Sequence, residues 1–342
     1  MDDKQAMKQS LGQVLHIGSK AMSPRLVLAP MAGLGHIAFR HLVSEFGGFG
    51  LLFTGMCSAK AVPHENPRVS PVFCWRQEEL PFLVCQIFGA DPESMSRAAE
   101  RIEKEGFWGV DLNFGCSVSA ICKKGAGAAL LKTPDQAVAI VKAVRASVSI
   151  PVCVKFRTGW DSQVDGAVEL ARAFEEAGAD AITFHPRVAP DRRNRPPVWR
   201  HITRIKAAVS IPVFGNGNLF DEQDGNRMMG ETGCDGLSIG RMAVARPWIF
   251  AQWTHGFIPD QDIYISTAFR MIELLTRHYN EVYAVKLFKK FVPYFSANFK
   301  FGHEICKKLL IAETPDEVKQ RIDQVLSVYP QTVARPNQNL FL

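Results

Sequence analysis

The sequence predicts an α/β fold, a (β/α)8 TIM barrel followed by a smaller all-helical C-terminal domain, and three observations lead there. Eight short runs rich in Val, Ile, Leu and Phe alternate with amphipathic helical patterns, as buried parallel strands and crossover helices do. A strand–helix unit recurs in tandem: SVSIPVCVKF (147–156) returns as AVSIPVFGN (208–216), and AGADAITFH (177–185) returns as TGCDGLSIG (232–240). No GxGxxG turn follows the first strand, which sets the pattern apart from an open dinucleotide-binding sheet.

The strands fall at RLVLAP (25–30), LLFTG (51–55), FLVCQI (82–87), GVDLNF (109–114), PVCVKF (151–156), DAITFH (180–185), PVFGN (212–216) and DGLSIG (235–240). Helix signals lie between them. Asp91-Pro92-Glu93 offers a cap, a first-turn proline and an early carboxylate, and Gly106 ends that helix. Thr133-Pro134-Asp135 repeats the start before QAVAIVKAVRAS. From about Thr267 onward the chain reads as helices without strands, one of them opened by Thr314-Pro315-Asp316-Glu317. The organisation expected is an N-terminal extension (1–22), a catalytic barrel (23–255), a helical domain (256–330) and a surface tail (331–342).

Composition bounds the function. The 342 residues are 47% hydrophobic and 22% charged, which demands a large core and excludes a disordered polymer. A net charge of +6 is compatible with a polyanionic partner without requiring one. Eight cysteines with no CxxC pair argue against a zinc ribbon or a disulfide scaffold and fit a reducing cytosol. The polar start MDDKQAMKQS lacks the features of a signal peptide, and no apolar run reaches the ~18 residues of a membrane helix. A soluble cytoplasmic protein is expected, without membrane or metal and as a monomer.

In such a barrel the functional groups project from the C-terminal ends of the strands. Those ends carry Pro30-Met31-Ala32, Thr54, Gln86, Asn113 with Cys116 just beyond, Lys155 and Arg157, His185 and Arg187, Asn216, and Gly240-Arg241. A lysine inside a barrel strand costs several kcal/mol unless an anion partners it. Lys155 therefore points to an anionic ligand or to pairing with Asp111. The Gln86 amide, donor and acceptor together, suits the edge of a heterocycle. Gly215-Asn216-Gly217 and Gly240-Arg241 end the last two strands, where this fold places phosphates; plain turn chemistry is the other reading of each glycine pair. Arg241 adds a planar bidentate donor. These groups together describe a flat, polar, phosphorylated cofactor over the barrel mouth. Cys116 sits in NFGCSVSAICKKGAGAALL, between the two most widely separated neighbouring strand ends, in a glycine-bracketed loop that reads as functional.

Taken in order, Pro30-Met31-Ala32-Gly33 with Phe39-Arg40, Gln86-Ile-Phe-Gly, Asp111-Leu-Asn-Phe-Gly-Cys116, Lys124-Gly-Ala-Gly127, Val154-Lys155-Phe-Arg157-Thr-Gly-Trp160, and Gly240-Arg241 with Pro247-Trp248-Ile-Phe resemble the tRNA-dihydrouridine synthases. The resemblance runs from about residue 26 to 250, and the helical part is similar to that family's RNA-binding domain. It implies an FMN-dependent barrel that reduces C5=C6 of selected uridines in tRNA with NADPH as electron donor. By the resemblance Pro30, Met31, Ala32, Gln86, Lys155, Asn216, Gly217, Asn218, Gly240 and Arg241 hold FMN, His185 lies close to it, and Cys116 is the catalytic acid. That role suits a thiol with an ordinary pKa of about 8.5, since a thiolate has no proton to give.

A uridine in folded tRNA must leave its stack to reach a buried cofactor, so the protein must also grip phosphates. Asn113, Arg157, Arg187, Arg192, Arg193 and Arg195 are the candidates for uracil and RNA contact, with Arg200 beyond. Lys286, Lys289 and Lys290 share a helix face, with Lys300, Lys307 and Lys308 further on. The sequence departs from the family where Ser117 follows the cysteine in place of proline, where His185-Pro186-Arg187-Val188 replaces a His-x-Arg-Thr run, and where Asn218 stands in place of an acidic residue. An FMN barrel acting on a small molecule and an RNA-binding barrel without catalysis are the alternatives; the first has no need of a basic helical appendage.

Overall fold

The computed structural model describes residues 3–189, 191 and 195–341, with side chains from Met7 onward. Its eight parallel strands are β1 (Leu26–Leu28), β2 (Leu52–Phe53), β3 (Leu83–Phe88), β4 (Gly109–Phe114), β5 (Val152–Gly159), β6 (Ala181–Val188), β7 (Val213–Asn216) and β8 (Gly236–Ile239). Each strand from β2 to β8 pairs with its sequence neighbour, and β8 pairs with β1. The circuit closes where Leu28 N donates to Leu51 O at 3.0 Å and Gly50 N donates to Leu26 O at 2.8 Å. All eight expected strands are present. β5 and β6 run three residues further than their apolar patterns, past an irregularity to the pair Gly159↔Val188. Polar side chains at 155, 157, 185 and 187 masked that continuation, because the barrel mouth accepts polar groups that a closed core excludes.

Side chains two residues apart on a strand share a face, so each strand contributes a ladder to the barrel interior. At the N-terminal end the ladder is apolar: Val27, Phe53, Val84, Cys153, Ala181 and Phe214 form one cluster. A hairpin of Leu15–Ile17 with Lys20–Met22 packs Leu15, Ile17 and Met22 against the same cluster. One step toward the C-terminal end the interior turns polar, with Gln86, Asp111, Lys155, Thr183, Asn216 and Ser238. The apolar layer excludes water from below, and the polar layer above it needs partners.

The helix Pro92–Lys104 forms as expected, with the Asp91 carboxylate accepting from Ser94 N at 2.8 Å and Gly106 turning the chain at φ +86°. Pro134–Ser147 is also helical, but Thr133 provides no side-chain cap; its hydroxyl donates back to Leu130 O instead. Among the described residues no helix is long and apolar enough to cross a membrane.

Contacts group the chain into two compact units. The first runs to Pro30 and resumes at Phe49–Ile239, and the second combines Met31–Gly48 with the chain from Gly240. The second unit is helical: Ile37–Phe46, Arg241–Ala245, Ile249–His255, Ile263–His278, Glu281–Ser296, Gly302–Leu310 and Pro315–Leu326. Helix Ile37–Phe46 joins this unit because it lies on Ile263–His278, where Arg270 holds Glu45 at 2.6 Å and His41 meets His278 at 3.4 Å. Trp248, Phe250, Leu275, Phe288, Phe291 and Phe295 are buried in its core. Most of the tail is exposed, in keeping with its Asn, Gln and Pro content, but its last described residues are anchored. Leu340 and Phe341 are buried, Phe341 stacks on Tyr294, and Arg246 donates to the carbonyls of Val333 and Ala334. Two apolar residues at the very end anchor a segment whose average composition is polar.

Candidate active site

Strand register brings the predicted polar residues together in the first unit. Gln86 lies beside Asp111, Asn113 beside Lys155, and Arg157 beside His185. Gln86 and Asp111 are fully buried, and Asn113 nearly so. Their side chains are joined in series. Gln86 Nε2 donates to Asp111 Oδ2 at 2.5 Å, and Asn113 Nδ2 donates to Gln86 Oε1 at 2.8 Å. The Asn113 Oδ1 then accepts from the backbone N–H of Gly115 at 3.1 Å and of Cys116 at 2.9 Å.

Lys155 Nζ donates to Asn216 Oδ1 at 3.4 Å, and Asn216 Nδ2 donates to Ser238 O at 2.7 Å. Burial pushes the Lys155 ammonium down to about 8, assisted by Arg157 and opposed by Asp111. Burial pushes the Asp111 carboxyl up to about 7, opposed by the Gln86 hydrogen bond and then by Lys155. The two groups stabilise each other's charge, while the hydrogen bond of the Lys155 ammonium goes to Asn216. They do not exhaust each other. Asp111 Oδ1 and Ser238 Oγ are buried without a hydrogen-bond partner, as are Arg157 Nε and Thr158 Oγ1.

Cys116 is half-buried where the chain leaves β4. Ala128 N donates to its carbonyl at 2.8 Å and the Cys122 thiol donates to the same oxygen at 3.4 Å. Gly127 makes this fold-back possible: its φ is +63°, and a Cβ there would stand 2.6 Å from Cys116 O. Burial raises the Cys116 thiol above its ordinary value. The shift exceeds what the sequence led us to expect and acts in the same sense, keeping the proton on sulfur.

At the ends of β6 and β7, the Gly217 backbone passes so close to His185 that a Cβ would lie 3.0 Å from the imidazole Cδ2. Asn218 follows at φ +54°, and Trp199 Nε1 donates to Gly217 O at 3.0 Å. Arg187 is buried, not exposed as an RNA-facing arginine would be, and it lines a cleft of about 590 Å³ with Arg195, Arg200 and Arg204. Arg195 is exposed, 3.9 Å from Asp191, and Arg204 pairs with Asp165 at 2.7 Å. Arg192 and Arg193 lie outside the described residues.

Pro30 ends the first unit, and Met31, Ala32, Gly240 and Arg241 belong to the second. There Met31 O accepts from Leu34 N and Gly35 N in a tight turn, and the Arg241 guanidinium lies 5.5 Å above the Phe341 ring. Lys286 and Lys290 are exposed and Lys289 half-buried. The sequence points to Asp111 as a partner for Lys155 and as the start of the motif that ends at Cys116, and gives Ser238 no role. The signal for Asp111 was available in its two-residue spacing from Asn113, which places both on the interior face.

The fold and the mouth of the first unit define a class: TIM barrels with a buried, charged and hydrogen-bonding floor at the C-terminal end of the strands. Residues 27–329 match the Dihydrouridine synthase (Dus) family, and the chain belongs to it. It is 33% identical over 298 residues to tRNA-dihydrouridine synthase B of Pseudomonas aeruginosa, covering 85% of this chain and 89% of that protein. It is 36% identical over 241 residues to tRNA-dihydrouridine synthase B of Klebsiella pneumoniae, covering 70% of this chain and 74% of that protein. Among solved structures, histamine dehydrogenase from Rhizobium sp. 4-9 shares the fold, with a TM-score of 0.59 at 13% identity over 78% of this chain and 51% of that one.

Proposed function

We propose that this protein is an FMN-dependent enzyme that reduces the C5=C6 bond of uridines in tRNA to 5,6-dihydrouridine, with NADPH as the source of electrons. The observation that carries the reading is the series Asp111, Gln86 and Asn113 on the barrel floor, tied by hydrogen bonds to the backbone of Cys116, with Lys155 beside Asn113 in the strand register. Family membership supports the reaction class.

The residues present suit FMN. A flat ring with alternating carbonyl and N–H groups calls for a cation, an amide and unspent polar atoms. Lys155, the second N–H of Gln86, and the unpartnered Ser238 Oγ supply them. The Gly217 backbone beside His185 adds a surface without a side chain, where a ligand can come close. FMN held by Lys155, Gln86 and Ser238 would supply, with electrons from NADPH, the hydride for C6 of the uracil.

The chain's own residues complete the addition. Lys155 holds positive charge below its pKa of about 8 and would stabilise anionic charge on a reduced cofactor held there. Asn113 fixes the loop that carries Cys116. The thiol of Cys116 delivers the proton to C5, so that C5 and C6 each gain one hydrogen, and its raised pKa keeps that proton available at neutral pH. A donor on the protein suits a site whose apolar lower layer excludes water.

RNA is gripped outside the floor. The exposed Arg195 and Arg200 of the cleft offer guanidinium groups for phosphate, and the exposed lysines at 286, 290, 300, 307 and 308 offer ammonium groups on the helical unit. A monomer in the cytoplasm, needing no metal, completes the reading.

Mapping dihydrouridine in RNA from cells with and without this gene tests it. Loss of dihydrouridine at defined tRNA positions is expected. An unchanged tRNA map with altered flavin-dependent turnover of a small molecule would replace it.

A further inference from the structure

One feature of the floor is directional. Backbone N–H groups can only donate, so the two at Gly115 and Cys116 fix the Asn113 oxygen toward them. The Asn113 amide nitrogen must then face Gln86 Oε1, and the Gln86 nitrogen must face Asp111. A carboxylate at this end accepts whatever reaches it. An amide there has a single oxygen, which the ammonium of Lys155 on the neighbouring strand competes for.

We infer that Asp111 is a positioning residue for the proton donor: through Gln86 and Asn113, its carboxylate holds the backbone of the Cys116 loop in place. The inference rests on the reading of Cys116 as the acid and deepens it. Three links in series, the last of them doubled, cross from β3 and β4 to the loop. The first two are buried, so no water stands ready to replace a partner lost there. Gln86 is the shared element. The same amide that offers its remaining N–H to a cofactor edge also transmits the anchor, so the cofactor surface and the proton donor are placed by one chain of bonds. Ala128 N–H and the Cys122 thiol hold the carbonyl of Cys116, and Asn113 holds its N–H.

The test is the rate of Cys116 alkylation by iodoacetamide in the flavin-containing protein, read by peptide mass spectrometry and followed from neutral to alkaline pH. The midpoint of the profile reports the thiol's electrostatics, and the alkaline plateau reports how freely the loop presents it. Asp111→Asn is expected to raise the plateau about fivefold to tenfold, the change for one buried hydrogen bond. Asp111→Asn with Gln86→Glu reverses the bond between the two positions, leaves an acceptor at 86 facing the Asn113 amide nitrogen, and is expected to return the plateau to the wild-type value. Gln86→Leu cuts the next link and is expected to give the same rise, which keeps the proposal testable if Asp111→Asn does not fold. A plateau unchanged in both single variants, or a double variant no better than Asp111→Asn, overturns the proposal. None of these outcomes depends on whether uridine is reduced, so failure of the relay is distinct from failure of the enzymatic reading.

Discussion

The two ends of the barrel interior are built from the same eight strands, one ladder step apart, and they differ in kind. Val84, Cys153, Ala181 and Phe214 at the N-terminal end pack as a dry apolar cluster. Two residues on, Gln86, Lys155, Thr183 and Asn216 take their place, and Asp111 joins them fully buried. The lower layer supplies stability by removing apolar surface from water. The upper layer spends part of that stability on a lysine and a carboxyl whose pKa values are displaced toward neutrality from opposite directions. Displaced titration in a cleft marks groups shaped for a ligand.

Substitutions in the two layers should separate accordingly. Phe214→Ala, in the lower layer, is expected to cost about 3–5 kcal/mol of unfolding free energy in denaturant titration. Its remaining folded fraction should keep the flavin affinity of the wild type; a selective loss of flavin would erase the distinction between layers. Lys155→Met, in the upper layer, should do the reverse, weakening flavin binding about tenfold to a hundredfold in fluorescence titration while leaving the protein folded.

A smaller effect lies in the pH dependence of stability. Asp111 titrates near 7 when folded and near 3.8 when unfolded, and the groups facing it are Lys155, Cys153 and the Gln86 amide. Between those values the folded state holds the extra proton. The contribution of Asp111 to stability therefore falls as pH rises from about 4 to 7. The unfolding free energy of the wild type minus that of Asp111→Asn should decline across that window, and a flat difference would show that burial does not displace the carboxyl. The smallest change is expected at the surface. Arg195→Glu with Arg200→Glu should lower the salt slope of tRNA binding by about 2 and leave flavin content unaltered. An unaltered slope would move the RNA contact elsewhere.

The strand pattern made the barrel legible because fully buried parallel strands leave near-continuous apolar runs, and all eight appear where those runs lie. The ends of β5 and β6 are hidden by the site itself, since Arg157 and Arg187 lie beyond the apolar runs while the pairing continues to Gly159 and Val188. Thr133 shows a related limit: it stands in the cap position and spends its hydroxyl elsewhere. Cys116, Gln86, Asn113 and Lys155 could be named individually from strand-end position and family resemblance. Their connection could not, because it crosses between β3 and β4 and depends on register. The anchoring of the tail is hidden for a simpler reason: Leu340 and Phe341, too few to alter its polar composition, suffice to bury its end.

The central claim, that the polar layer delivers a proton from Cys116 onto a flavin-reduced uracil, is tested most directly by single-turnover reduction of unmodified tRNA by the flavin-loaded Cys116→Ala protein. The account predicts full flavin occupancy, unchanged tRNA binding and dihydrouridine formation slowed about a hundredfold or more, the usual contribution of a positioned general acid. Formation of dihydrouridine at the wild-type rate would contradict it.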